Sequence, residues 1–227
     1  MALLLLAITK ANLAPLALEG PSGRAVVRMD AAGLSAWVCP TDDDATFGRA
    51  DLLAHHQAVS RIHDHADGAL PARFPTQMDE AAVRSVLEAR QAEYAVALER
   101  IAGRVELAVT AVWTDDASID RPSSAPDPAT RPGTSYLRTR REAFAVSDDR
   151  RARATRLAEQ LEAIAGADLV ASKRQLCPSP TVALSEALLV PRGVAEVLTA
   201  RLAPQTLGLR ILVNGPWPPY TFAASNA

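Results

Sequence analysis

The sequence predicts an α+β protein built as two small domains, an N-terminal sheet crossed by one helix and a C-terminal ferredoxin-like βαββαβ domain. Three observations carry that prediction. The length of 227 residues exceeds the usual single domain. Hydrophobic residues make up 48% of the chain and charged residues 22%, a globular balance with enough apolar side chains to fill a core. The period of the apolar positions also switches between two and about 3.6 along the chain, as alternating strands and helices require.

Residues 1–80 are read as the first domain. The apolar run over residues 1–8 has the look of a leader peptide, but it lacks a basic start and meets Lys10 and Asn12 too soon, so it is read as a buried strand. Turn formers fill Asn12 to Gly23. Ala25 to Met29 and Leu34 to Val38 then flank Asp30 to Gly33, the pattern of a hairpin. From Gly48 the period becomes helical, with Leu52, His56, Val59 and Ile62 at three- and four-residue steps, as one helix face through about Ala66 requires. Ala69 to Phe74 reads as a short strand.

A long helix is expected from about Asp79 to Ala102, with Val83, Leu87, Tyr94, Leu98 and Ile101 on its apolar stripe and Asp79 favouring its N-terminus. Its residues 81–103 are read as a connecting helix, which leaves 104–227 as the second domain. There Val105, Leu107, Val109, Ala111 and Trp113 alternate with more polar neighbours, the period of a half-buried strand. The segment 115–133, with Pro122, Pro126, Pro128 and Pro132 among small polar residues, has no core-forming side chains and is expected to be a mobile loop. Helical signals run from Tyr136 to Ala165, with a fresh N-cap near Ser147 to Asp149 and Leu157, Leu161 and Ile164 as the seam. Strands at Asp168 to Leu176 and Thr181 to Val190, a helix at Val194 to Ala203 and a strand through Leu207, Leu209, Ile211 and Val213 follow. The order from Val105 is β-α-β-β-α-β, the split-βαβ arrangement. Residues 214–227 form a tail.

Several function classes are excluded. A formal net charge of −2 gives no broad basic field for phosphate backbones, so no nucleic-acid partner is expected. No run approaches the roughly 18 to 20 apolar residues of a membrane span, and a cytoplasmic location is expected. Cys39 and Cys177 match no metal or redox spacing and are read as free thiols. The sequence contains no nucleophile elbow, phosphate loop, nucleotide fingerprint or paired acidic motif. The expectation is a non-enzyme with no cofactor.

The most enzyme-like feature is the clustering of all four histidines between His55 and His65. His56 and His63 share a helix face, and a small metal-dependent hydrolase using this segment is the alternative reading. The i, i+4 pairing familiar in zinc sites is absent, which favours His56 as a hydrogen-bonded side chain at the core edge, with His63 and His65 at the solvent-facing end. Asp42, Asp43 and Asp44 lack the spacing of a calcium loop and read as a solvated turn. Arg73 follows a strand and reads as a buried member of an ion pair, ahead of an anion site. Arg138, Arg140, Arg141, Arg150, Arg151, Arg153 and Arg156 make one helical region basic, either a solvated face or a surface for an acidic partner. Trp217 and Tyr220 flank Pro218 and Pro219, which hold the chain extended. Such a segment either meets an aromatic groove on a partner or straps its own domain.

The residues Asn214, Gly215, Pro216, Trp217, Pro218, Pro219, Tyr220, Thr221 and Phe222 resemble the C-terminal signature of the gas vesicle F/L family, commonly G-P-W-P-P-Y-S-F, with threonine in place of serine at Thr221. Two further features are similar to that family and fall in its order. They are His55-His56 on the first helix and Leu70-Pro71-Ala72-Arg73-Phe74, which resembles L-P-x-R-F-G-T. Pro75 stands where that pattern has glycine, so the turn there must be built differently. The resemblance spans most of the chain and explains 115–133 least. It implies a non-enzymatic accessory protein, in the cytoplasm and at the gas vesicle, that binds the hydrophobic shell subunit and works with other gas vesicle accessory proteins. Such a factor would restrain aggregation of that subunit during nucleation or growth, since an uncovered apolar face associates indiscriminately. The residues the resemblance marks for partner binding or interdomain packing are Trp217, Pro218, Pro219, Tyr220, Phe222, Arg73, His55 and His56.

Because loop closure depends weakly on length, replacing residues 115–133 by a short Gly-Ser linker is expected to leave the melting temperature nearly unchanged. Loss of cooperative unfolding in that variant would show that the segment supplies core contacts.

Overall fold

The computed structural model describes residues 2–11, 13–114, 148–204 and 209–223. The proline-rich segment 115–133 and the expected helical residues 136–147 therefore lie outside the described residues, as do Arg138, Arg140 and Arg141. The chain divides into two compact units, Met1–Glu106 with Pro216–Ala227, and Leu107–Gly215.

The first unit is a five-stranded sheet with helices. Strand β1 (Ala2–Lys10) lies between β3 (Leu34–Thr41) and the short β4 (Leu70–Pro71), and β2 (Val27–Ala31) forms the edge beyond β3. A two-residue strand, β5 (Gln77–Met78), also pairs with β1. All of these pairings are antiparallel. The expected hairpin is present as β2 and β3, turning through Ala32 and Gly33, both at positive φ. Glycine takes that conformation without strain, whereas Ala32 does so at some cost. The unbroken apolar run of β1 reflects burial on both faces, since Leu3, Leu4 and Leu5 are all buried although successive side chains point to opposite sides. An extra residue in β1 between Leu5 and Ala7 makes a bulge against β3.

Helix α1 (Arg49–His65) packs on this sheet and starts with Asp51 reaching back to the Gly48 amide at 2.9 Å. Its buried residues are His55, Ala58, Val59, Ile62 and His63. Ala58, Val59 and Ile62 form a core with Leu4, Leu6, Trp37 and Cys39. The expected stripe through Leu52 and His56 is displaced, because a face drawn from His55 through Val59 and Ile62 is equally helical and turns Leu52 outward. Trp37 Nε1 donates to Thr9 Oγ1 at 3.0 Å, which satisfies a buried indole N–H.

The single helix expected over 79–102 is two helices, α2 (Glu80–Ala89) and α3 (Gln91–Ile101), broken at Arg90 with φ −112° and ψ 19°. Asp79 caps α2 by accepting the Ala82 N–H at 2.7 Å. No glycine or proline marks the break, and the buried residues Val83, Leu87, Leu98 and Ile101 keep a helical spacing across it, so periodicity alone reads straight through. Both helices belong to the first unit.

The second unit holds most of β6 (Arg104–Trp113) and β9 (Leu209–Trp217), together with α4 (Asp148–Ala165), β7 (Ala171–Leu176), β8 (Val182–Pro191) and α5 (Ala195–Leu202). The sheet order is β7-β8-β6-β9. The first strand of the series is central and the hairpin β7-β8 lies to one side, which is the ferredoxin-like order expected from the sequence. Alternate residues Val105, Leu107, Val109 and Ala111 of β6 are buried. The seam of α4 is Ala154, Leu157, Ala158, Leu161 and Ala165, with Ile164 half-buried beside it. Arg150 and Arg153 are not simply solvated, since both guanidinium groups sit 5.1 Å from the ring centre of Trp113.

Glu186 on β8 is 2% exposed, and neither carboxyl oxygen has a hydrogen-bond partner within bonding geometry among the described residues. Arg174 is opposite it on β7. Glu162 on α4 accepts from Ser172 Oγ at 2.7 Å and lies 3.4 Å from Arg174. Burial raises the Glu186 carboxyl to about 7, the charge of Glu162 adds to the rise and Arg174 opposes it. The folded state therefore holds a proton that the unfolded chain releases above about 4.5, so stability falls as pH rises from about 4.5 to about 7. Glu186→Gln is expected to flatten that slope and to stabilise the protein at pH 8 by on the order of 3 kcal/mol. Denaturant melts of both proteins at pH 5 and pH 8 check this, and parallel pH profiles would refute it.

Candidate functional site

The site lies within the first unit, where three separated segments converge on one cleft of about 470 Å³. Its walls come from the start of α1 (Leu52, Leu53, His55, His56), from the turn after β4 (Arg73, Phe74) and from the C-terminal segment (Trp217, Tyr220). Leu52 and Leu53 are 48% and 52% exposed, an unusual state for two adjacent leucines in a helix whose other face is core.

The adjacent histidines face different neighbours, as residues 100° apart on a helix must. His55 is 1% exposed, with its ring edge-on to Phe74 at 5.1 Å, and its Nε2 has no hydrogen-bond partner among the described residues. Burial pushes its pKa down to about 4, against a smaller opposing effect of the Leu5 backbone. It is a neutral imidazole at pH 7. His56 is half-buried, edge-on to Trp217 at 5.0 Å, and its Nδ1 lies 3.3 Å from the Tyr220 hydroxyl. Burial lowers its pKa as well.

The C-terminal segment enters the first unit at Pro216. Pro218 and Pro219 are buried, and their carbonyls accept from the amides of Tyr220, Phe222 and Ala223 to form the one-turn helix α6 (Tyr220–Ala223). Phe222 is 2% exposed and Trp217 is 37% exposed. The buried carboxylate of Glu106 accepts the Thr221 N–H at 2.8 Å and the Thr221 hydroxyl at 2.7 Å. Threonine supplies that hydroxyl as the serine of the resembled motif would. Arg100 adds a hydrogen bond to the Phe222 carbonyl. The Tyr220 hydroxyl is held above its usual pKa by burial, with the charge of Glu106 adding to it.

Two sequence expectations are corrected. Arg73 is exposed and takes no carboxylate partner among the described residues; the chain after β4 turns through a cis Phe74–Pro75 peptide and sends Phe74, not Arg73, inward toward His55. His63 is buried, not solvent-facing, because its Nε2 reaches inward to donate to the Arg104 carbonyl at 3.0 Å. His65 donates to the Ala14 carbonyl at 3.0 Å. The four histidines thus serve four different contacts, and among the described residues no group of three or more His, Cys, Asp or Glu is arranged to hold a metal ion. Asp42 pairs with Arg24 at 2.7 Å. Cys39 is buried with its thiol raised by that burial, and Cys177 is half-buried; both are free. Sequence reasoning missed Leu52 and Leu53 as cleft residues, and Glu106 as the acceptor for the tail. Their signal was faint: two adjacent leucines exceed a helix stripe by one, and a glutamate sits within an apolar strand.

Chemically, the cleft offers apolar and aromatic walls, a neutral imidazole and one exposed guanidinium. That equipment suits binding an apolar segment.

Residues 2–224 match the family model described as gas vesicle synthesis protein GvpL/GvpF. Gas vesicle protein L of Streptomyces sp. (strain CB03234) is 31% identical over 188 residues, 77% of this chain and 69% of that protein. Gas vesicle protein L2 of Halobacterium salinarum is 28% identical over 228 residues, 87% of this chain and 80% of that protein. In fold, the chain is similar to the crystal structure of GvpF from Anabaena sp. PCC7120, with a TM-score of 0.75 at 16% identity over 100% of this chain and 97% of that one. It is equally similar to GvpF from Microcystis aeruginosa, with a TM-score of 0.74 at 14% identity over 99% of each chain. Among the described residues no helix is long and apolar enough to cross a membrane.

The burial difference along the tail sets an expectation. Phe222→Ala should lower stability by about 3 to 5 kcal/mol, the range for large core aromatics, while Trp217→Ala should cost clearly less. Equilibrium denaturation of the two variants measures both. Equal losses would mean that Trp217 is as much a core residue as Phe222.

Proposed function

The chain belongs to the gas vesicle GvpL/GvpF family, and from that premise we propose that it is a non-enzymatic assembly factor that binds the hydrophobic shell subunit of the vesicle through the cleft of the first unit. One observation carries this reading. The three segments that resemble the family's motifs, at His55-His56, Arg73-Phe74 and Trp217 to Tyr220, line one apolar cleft although they are up to 165 positions apart in the chain, His55 to Tyr220.

A shell subunit with a water-repelling face associates indiscriminately until that face is covered. A pre-formed cleft with exposed leucines gives it a place to dock at little ordering cost, because the aromatic walls are already fixed by the core beneath them. Covering the face restrains aggregation while leaving the subunit folded and deliverable. The working site is the cytoplasm and the growing vesicle, with other accessory proteins of the vesicle as further partners.

Co-expression of the tagged chain with a gas vesicle shell subunit tests the proposal. The subunit is expected to be retained above an untagged control and to stay in the soluble fraction. Leu52→Asp with Leu53→Asp should reduce retention at least tenfold, about 1.4 kcal/mol, with a much smaller effect on the melting temperature, since about half of each side chain is already in water. A shell subunit that is never retained by the wild-type chain, under conditions where it remains soluble, would sink the reading.

A further inference from the structure

The polar groups of the cleft say what its occupant must carry. Glu106, the one carboxylate among the lining residues, is already engaged by two hydrogen bonds from Thr221. His56 is engaged by the Tyr220 hydroxyl. Two lining groups stay uncommitted among the described residues. One is the Arg73 guanidinium, which is exposed and has no ion pair or side-chain hydrogen bond. The other is Nε2 of His55, on a side chain 1% exposed that lines the same cleft. An unpaired guanidinium beside apolar walls is a ready fork for a carboxylate.

We propose that the cleft recognises a short segment of partner polypeptide in which a large apolar side chain lies next to an aspartate or glutamate. The apolar side chain enters between Leu53, Phe74 and Trp217, and the carboxylate pairs with Arg73. The inference rests on the proposed binding role of the cleft and deepens it by naming the chemistry of the docking segment. The volume of about 470 Å³ matches this scale, since pockets of roughly 300 to 1,000 Å³ hold one or a few side chains and not a folded domain. Charge complementarity selects an acidic flank over a basic one, because the cation at the cleft is free while the anion is taken. The neutral state of His55 keeps the floor of the cleft from opposing an apolar occupant.

The probes are two fluorescein-labelled leucine-rich peptides, identical except that one carries glutamate and the other lysine beside the central leucine. Fluorescence polarisation against the full chain at low ionic strength is expected to show the glutamate peptide binding at least about tenfold more tightly, with the preference shrinking as salt rises. Arg73→Glu should reverse the preference, and Leu53→Asp should weaken both peptides. Both positions are exposed, so unchanged melting curves will show that the fold is intact. Equal affinities, failure of the glutamate peptide to bind, or a preference that survives Arg73→Glu overturns the proposal. The outcome is separable from that of the shell-subunit experiment. A chain that retains the shell subunit but shows no acidic preference loses this inference alone, and one that shows the preference but never retains the subunit loses the shell assignment alone.

Discussion

A buried carboxylate at Glu106 organises the first unit. Taking a charged oxygen pair out of water is costly unless donors replace the lost water, and Thr221 supplies two, its amide and its hydroxyl. Those donors arrive only if the chain ends fold back to β6, so the energetic demand of one strand residue fixes the path of residues more than a hundred positions later. Once Thr221 is seated, Phe222 falls into the core on one side and Tyr220 meets His56 on the other. Trp217 is then left at the rim of the cleft. The tail side of the cleft follows from where that carboxylate finds its hydrogen bonds.

The prolines make this return inexpensive. Pro218 and Pro219 have few conformations to lose on folding, and their carbonyls turn the chain into α6 without needing amide donors of their own. Burying two rings that donate no N–H leaves no backbone group unsatisfied. A segment of ordinary residues in the same place would bring two more amides into an apolar setting and would need partners for them.

Much of the fold was legible in the sequence because its signals are local. The alternation from Val105 to Ala111, the turn between β2 and β3, and the order of elements after Val105 all depend on neighbours within a few positions. What escaped depends on contacts at long range. The break at Arg90 has no glycine or proline to announce it. The stripe of α1 is ambiguous because Leu52, Leu53, His55 and His56 offer two overlapping helical faces, and only the sheet beneath decides that His55 turns in and both leucines turn out. His63 reads as solvent-facing until the Arg104 carbonyl is placed beside it. For the site, the residues were legible as three motif-like segments, but their convergence was not, since nothing local in Arg73 or Trp217 indicates that each borders the same space. The inward turn of Phe74 in place of Arg73 is likewise a property of the chain path after β4, which periodicity does not reach.

The cleft also separates two kinds of chemistry. Catalysis asks for groups whose proton affinities are poised near neutrality and aimed at a common point. Here burial lowers the pKa of both histidines at the cleft, that of His55 to about 4. A neutral imidazole in an apolar pocket accepts or donates one hydrogen bond and presents a ring face, which suits the binding role proposed for the cleft. The exposed leucines extend the argument. Leaving Leu52 and Leu53 about half exposed forgoes part of the stabilisation that full burial contributes, which is on the order of 1.5 to 3 kcal/mol per side chain. A helix with a well-filled opposite face has no structural need for them. Their position at the mouth of a cleft with aromatic walls is the feature on which the proposed docking of an apolar partner rests.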